Sequence, residues 1–210
     1  MNWRECKSLI VFGGSFDPPH NAHVELPILA MQKVGAEVVV YVPAAISPLK
    51  RGQVPTPAEH RLAMLRLAIE GVEHTTILTD ELNRMEEPSY TVDTLEALRP
   101  EISPDVTVRL LIGGDQLRDF HRWRSYERII QMAEPLVMVR PPDRRASLLA
   151  ALPPDFDTRV WSDRLLDLPL RDISASDLRK RVALGQPITG MVAPAVEAYI
   201  RSHHLYRRRS

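Results

Sequence analysis

Cysteine is nearly absent: Cys6 has no partner for an internal disulfide, so no covalent staple holds the fold. A reducing, cytoplasmic setting is the expectation, with Cys6 an incidental thiol. No apolar run approaches the length of a secretory segment or a membrane span, so no membrane partner is expected. An excess of charge is missing too, since Lys plus Arg total 27 and Asp plus Glu total 27. A nucleic-acid binder needs a basic field, so a small-molecule partner is expected and no nucleic acid. Neither an internal repeat nor a low-complexity tract interrupts the 210 residues, a length suited to one buried core. A single domain is expected over residues 1–210, with its core at about 8–206. The run Arg207-Arg208-Arg209 reads as a solvated basic tail, and the oligomeric state is left open, a homo-oligomer included.

What the chain does have is alternation. Short apolar runs rich in β-branched residues stand at Leu9 to Phe12, Val38 to Val42, Val106 to Ile112 and Pro135 to Val139, with weaker ones at 76–78 and 166–168. Helical patterns separate or follow them at Val24 to Val34, Pro57 to Ile69, Val92 to Leu98, Tyr126 to Met132, Ser176 to Leu184 and Pro194 to Ser202. Such alternation implies crossover units. The expected fold is α/β, Rossmann-like and doubly wound: a mainly parallel sheet with helices on both faces and its ligand crevice at the carboxyl ends of the strands. Arg140 to Arg159, with two Pro-Pro pairs, predicts an irregular surface connection. Pro27 interrupts a helical pattern, where its ring clashes with the carbonyl four residues back, so a late helix start near Ala22 or His23 is predicted.

Where the first strand hands over to the first helix, the chain reads Gly13-Gly14-Ser15-Phe16-Asp17-Pro18-Pro19-His20-Asn21-Ala22-His23. Free N–H groups and the positive end of the helix dipole favour an anion there, and two imidazoles add donors aimed at it. Glycine at 13 and 14 lets the backbone approach a ligand that a Cβ would push away. Taken alone, the His-x-x-His spacing also fits a zinc half-site or two surface histidines. Far downstream, Asp172-Ile173-Ser174-Ala175-Ser176-Asp177-Leu178-Arg179 opens another helix, which Ser174 or Ser176 can cap. Arg179 stands one turn in, and its planar fork suits phosphate oxygens; taken alone, this is equally an ordinary cap with a surface arginine.

The first segment resembles the nucleotidyltransferase signature G-G-[ST]-F-D-P-x-H-x-G-H, and the second resembles the I-S-S-T-x-x-R element of the same superfamily. Pro88 to Leu95, Leu111 to Leu117, and Phe120-His121-Arg122-Trp123 followed by Ile129-Ile130 resemble, in order, the bacterial nicotinate-nucleotide adenylyltransferases. The ending, Tyr199-Ile200 to Leu205-Tyr206, is similar to that family's last helix, so the resemblance runs from about Leu9 to Tyr206. It implies transfer of AMP from ATP to nicotinate mononucleotide, giving deamido-NAD and pyrophosphate. By the same resemblance His20, His23 and Arg179 would carry catalysis, with Gly13, Gly14, Ser15, Phe16, Lys50, Asp115, Ser174 and Ser176 meeting ATP beside Arg179. Asp115 would lie near the adenosine ribose, although a helix N-cap is its plain structural role. Trp123 would stack on the nicotinate ring, and Tyr90 and Thr91 would offer backbone donors to its carboxylate. Magnesium is expected on the ATP phosphates, with no protein ligand assigned.

The chain departs from that pattern in places. Ala22 stands for the usual glycine, which is expected to be harmless if the residue is helical. Ser176 replaces a threonine and keeps the hydroxyl; Ser47-Pro48-Leu49-Lys50 replaces P-P-H-K; Glu87 and Gly114 alter two loops. The alternatives are a related adenylyltransferase acting on nicotinamide mononucleotide or phosphopantetheine, or a non-catalytic nucleotide-binding relative.

Overall fold

Leu9, Ile10, Val11 and Phe12 are all buried in one strand, β1 (Ser8–Gly14), as a central parallel strand covered on both faces requires. The computed structural model describes residues 2–46, 55–83, 88–139, 144–169 and 172–207. Its other strands are β2 (Val38–Pro43), β3 (Thr75–Ile77), β4 (Thr107–Gly113), β5 (Glu134–Val139) and β6 (Leu165–Asp167). Each apolar run read from the sequence is one of these strands, with ends displaced by a residue or two. The sheet order is β3-β2-β1-β4-β5-β6, and every pairing is parallel.

Strand alternation splits the core in two. Leu9, Val11, Val40, Val108 and Leu110 pack on one face with Val92 and Leu95 of α3 (Thr91–Leu98) and Ile129 of α5 (Tyr126–Met132). Ile10, Phe12, Val39, Tyr41 and Leu111 pack on the other with α1 (Asn21–Val34) and Leu65 of α2 (Ala58–Ala68). A third, smaller cluster joins Met64 of α2 to Leu178 of α8 (Ala175–Ala183) and to Val196 and Ile200 of α9 (Pro194–Ser202). Helices therefore cover both faces, as the doubly wound fold demands. Among the described residues no helix is long and apolar enough to cross a membrane.

Two expectations need correction. α1 begins at Asn21, one residue before the predicted start, and still carries Pro27 inside it, so starting there does not free the helix of its proline. Pro27 has no N–H to give the His23 carbonyl four residues back; its buried ring packs instead in the stripe formed by Ala22, Leu26, Ala30 and Met31. Core burial outweighs the missing bond. Gly35, at φ 63, ends the helix in the left-handed region that glycine enters freely. The stretch 140–159 is not merely a loop either: α6 (Arg145–Ala150) lies in it and buries Leu148, and α7 (Thr158–Arg164) begins before its end. α6, α7 and α4 (Gly114–Asp119) escape sequence reading because each is under two turns and buries one large apolar side chain, Leu148, Trp161 and Leu117, so no apolar spacing shows.

Candidate active site

Between β1 and β4 the winding of the sheet reverses, which opens a crevice at their carboxyl ends, Gly13-Gly14 and Gly113. Phe16 follows at φ 48 and drives its ring into the core, 1% exposed, directly beneath Gly14. A Cβ on Gly14 would stand 3.0 Å from that ring, so the close fit of loop on core is why glycine is needed there. Phe16, given above as an ATP contact, is thus a floor by its side chain: it meets the His23 ring edge-on at 5.2 Å.

His20 caps α1 and His23 occupies its third position. Their rings stack at 3.6 Å, and the His20 backbone N–H donates to His23 Nδ1 at 3.2 Å. That bond needs a lone pair on Nδ1, which in the neutral ring leaves the proton on Nε2. Ala22, between them, is 2% exposed and packs in the core with Phe12 and Leu26. Its methyl group points into the protein.

Arg179 joins the two motifs across 162 positions: its Nη1 donates to the Asp17 carbonyl at 2.7 Å and its Nη2 to Ser176 Oγ at 3.3 Å. Ser174, not Ser176, caps α8, accepting the Asp177 N–H at 3.1 Å. Beneath the loop lies Arg61, 1% exposed, whose guanidinium donates to the carbonyls of Ser15, Ala44, Ala45 and Thr56. Burial pushes its pKa down, and the nearby Asp17 carboxylate works against that shift. Sequence reasoning missed Arg61, since an arginine in an amphipathic helix reads as a surface charge. It passed over Asp17 and Tyr206 as well, although both lay inside quoted motifs.

A cavity of about 190 Å³ connects the loop to the rest of the crevice. Gly13, Gly14 and Ser15 line one part of it, and Tyr90, Thr91 and Trp123 another. Tyr90 caps α3, whose first turn aims its dipole at this space. Arg124, unnoticed in the sequence, also lines it; its guanidinium sits 4.9 Å above the Tyr90 ring and 3.4 Å from Asp93. Trp123 leans on Phe120 at 5.2 Å, and its indole N–H is buried with no partner among the described residues. Asp115 is exposed in the first turn of α4, while Gly113 holds the N-cap and Gln116 closes the capping box at 2.8 Å. Lys50 lies outside the described residues. Among the described residues no three His, Cys, Asp or Glu side chains gather as metal ligands.

Residues 11–181 match the family model described as Cytidylyltransferase-like. A protein of Symbiobacterium thermophilum named "Probable nicotinate-nucleotide adenylyltransferase" is 38% identical over 201 residues, covering 94% of each chain. One of the same name from Chromobacterium violaceum is 37% identical over 212 residues, 94% of this chain and 97% of that one. The solved structure of Plasmodium falciparum nicotinic acid mononucleotide adenylyltransferase complexed with NaAD shares the fold, with a TM-score of 0.69 at 19% identity over 95% of this chain and 97% of that one. With most of its length matched, the chain belongs to the cytidylyltransferase-like family, among its nicotinate-nucleotide adenylyltransferases.

Proposed function

We infer that this chain transfers the adenylyl group of ATP to nicotinate mononucleotide, forming deamido-NAD and releasing pyrophosphate. The observation that carries the inference is a single cavity lined by the glycine turn Gly13 to Ser15 and by Tyr90, Thr91 and Trp123. The named relatives agree with it. A phosphate oxygen of the mononucleotide attacks the α-phosphorus, and the bond to the bridging oxygen breaks as pyrophosphate departs with its electron pair. The attacking group is already an anion, so no general base is required; catalysis is positioning plus charge stabilisation.

His23, its Nδ1 held by the His20 N–H, and Arg179, anchored on Asp17, are our assignments for the charge that develops on the phosphates, with His20 beside them. Gly13, Gly14 and Ser15 would let the nucleotide approach the backbone, with Ser174 and Ser176 at the start of α8. With no gathered protein ligands among the described residues, a magnesium ion would sit on the substrate phosphates and water. At the nicotinate end, the α3 N-terminus and Arg124 both favour a carboxylate, and Trp123 offers an aromatic wall to the pyridinium. An amide would bring its own N–H₂ against those donors.

Pyrophosphate release with magnesium-ATP, comparing nicotinate mononucleotide with its amide, tests the reading. Strong preference for the acid is expected, and equal or exclusive use of the amide would refute the specificity. ATP binding with no turnover of either would sink the enzyme assignment.

A further inference from the structure

Beyond the end of α9 the chain turns back, and Tyr206 delivers its hydroxyl to Asp17, 189 positions away, donating to Oδ1 at 2.6 Å. To arrive there the backbone enters the left-handed region twice, at φ 53 on His204 and φ 61 on Tyr206. Neither is glycine, and such conformations persist only where the surroundings over-determine them. The acceptor, Asp17, is 8% exposed, and its other oxygen accepts the Thr56 N–H at 3.1 Å. Its main-chain carbonyl accepts Arg179 Nη1 at 2.7 Å, and Pro18 and Pro19 carry the chain stiffly on to His20. The phenol also touches Met64 Sδ of α2 at 4.0 Å, next to the turn of helix that presents Arg61. Both side-chain oxygens and the carbonyl of Asp17 are therefore engaged, each by a different part of the chain. The carboxylate and the carbonyl belong to one residue, so pinning the side chain restrains the backbone that holds Arg179.

We propose that Tyr206 is a positioning residue for adenylyl transfer: through Asp17 it fixes Arg179 and the approach to His20 against the phosphates of ATP. The proposal rests on the function inferred above. It goes further in tying the C-terminal turn to one substrate only. Tyr90, Thr91 and Trp123 lie in another part of the cavity, so the nicotinate side should not sense the loss of this hydroxyl.

The test is steady-state kinetics on wild type, Tyr206→Phe and Leu205→Ala, with melting temperatures for each. Leu205 packs against the cluster around Met64 and Leu178 and reports general weakening of the same segment. For Tyr206→Phe, kcat/KM for magnesium-ATP should fall about tenfold, because misplacing a positioning group by a fraction of an ångström is enough. Its KM for nicotinate mononucleotide should stay within about twofold and its melting temperature near wild type, since the ring remains. Leu205→Ala should melt earlier with both KM values retained. In an Asp17→Ala background Tyr206→Phe should add nothing further. Unchanged ATP kinetics in Tyr206→Phe, a rise in KM for nicotinate mononucleotide of more than about twofold, additivity with Asp17→Ala, or an unfolded Tyr206→Phe would each overturn the proposal. Wild type that binds ATP and transfers nothing would overturn the inferred function instead; calorimetric ATP affinities of wild type and Tyr206→Phe would then decide on Tyr206.

Discussion

His23 shows how neighbours fix the pose of a single ring: it is stacked on His20, met edge-on by Phe16, and accepts a backbone N–H at Nδ1. His23→Ala should lower the rate of pyrophosphate release about a hundredfold or more, the loss expected for one preorganised donor, and a loss under tenfold would count against it. Ala22 departs from the family pattern, and its burial leads us to expect no effect on the chemistry. Its Cβ lies in the core in the first turn of α1, so Ala22→Gly removes core contact and favourable helix propensity together. Stability should fall by about 1 kcal/mol in urea denaturation with turnover within about twofold; a marked gain in turnover would show that the methyl does crowd the phosphates.

Helices α2, α8 and α9 meet at their own small core and together support the loop that follows β1. α2 supplies Arg61, which satisfies four carbonyls from three stretches of chain. Arg61→Met keeps much of the packing and removes every donor, leaving those carbonyls unmatched in the interior. A destabilisation of about 3 kcal/mol or more is expected by chemical denaturation, and a variant as stable as wild type would show that water replaces the guanidinium. α8 supplies Arg179, and the turn after α9 supplies Tyr206. α9 also packs on α2 through His60 Nδ1 and the Tyr199 hydroxyl at 2.9 Å, which ties the two helices together beside their shared core. The boundaries of α5 and α9 coincide with those read from the sequence, since both carry a clear apolar stripe.

The whole molecule buries acids that it keeps protonated. Burial pushes the Tyr41 and Tyr206 phenols above the ordinary 10.0, with the Asp17 carboxylate adding to the effect on Tyr206, and burial pushes the Cys6 thiol above 9.0. Groups whose pKa is raised on folding stabilise fully below their unfolded values and lose that contribution as pH climbs past them. Stability should therefore decline from about pH 9 upward, and the urea midpoint should drop between about pH 9 and pH 11, less steeply in Tyr206→Phe. A flat midpoint over that window would contradict the burial of these groups. The sequence by itself determined the six strands, because fully buried parallel strands are continuous apolar runs. It also determined the two motif segments, because glycine, proline, histidine and arginine in fixed order need no partner to be read. Only the tertiary structure decided that Arg179 rests on Asp17, that Arg61 faces inward and that Tyr206 reaches the loop. An arginine on a helix has the same spacing whether it faces water or buried carbonyls, and contacts across more than 160 positions are set by packing, which leaves no local mark on the chain.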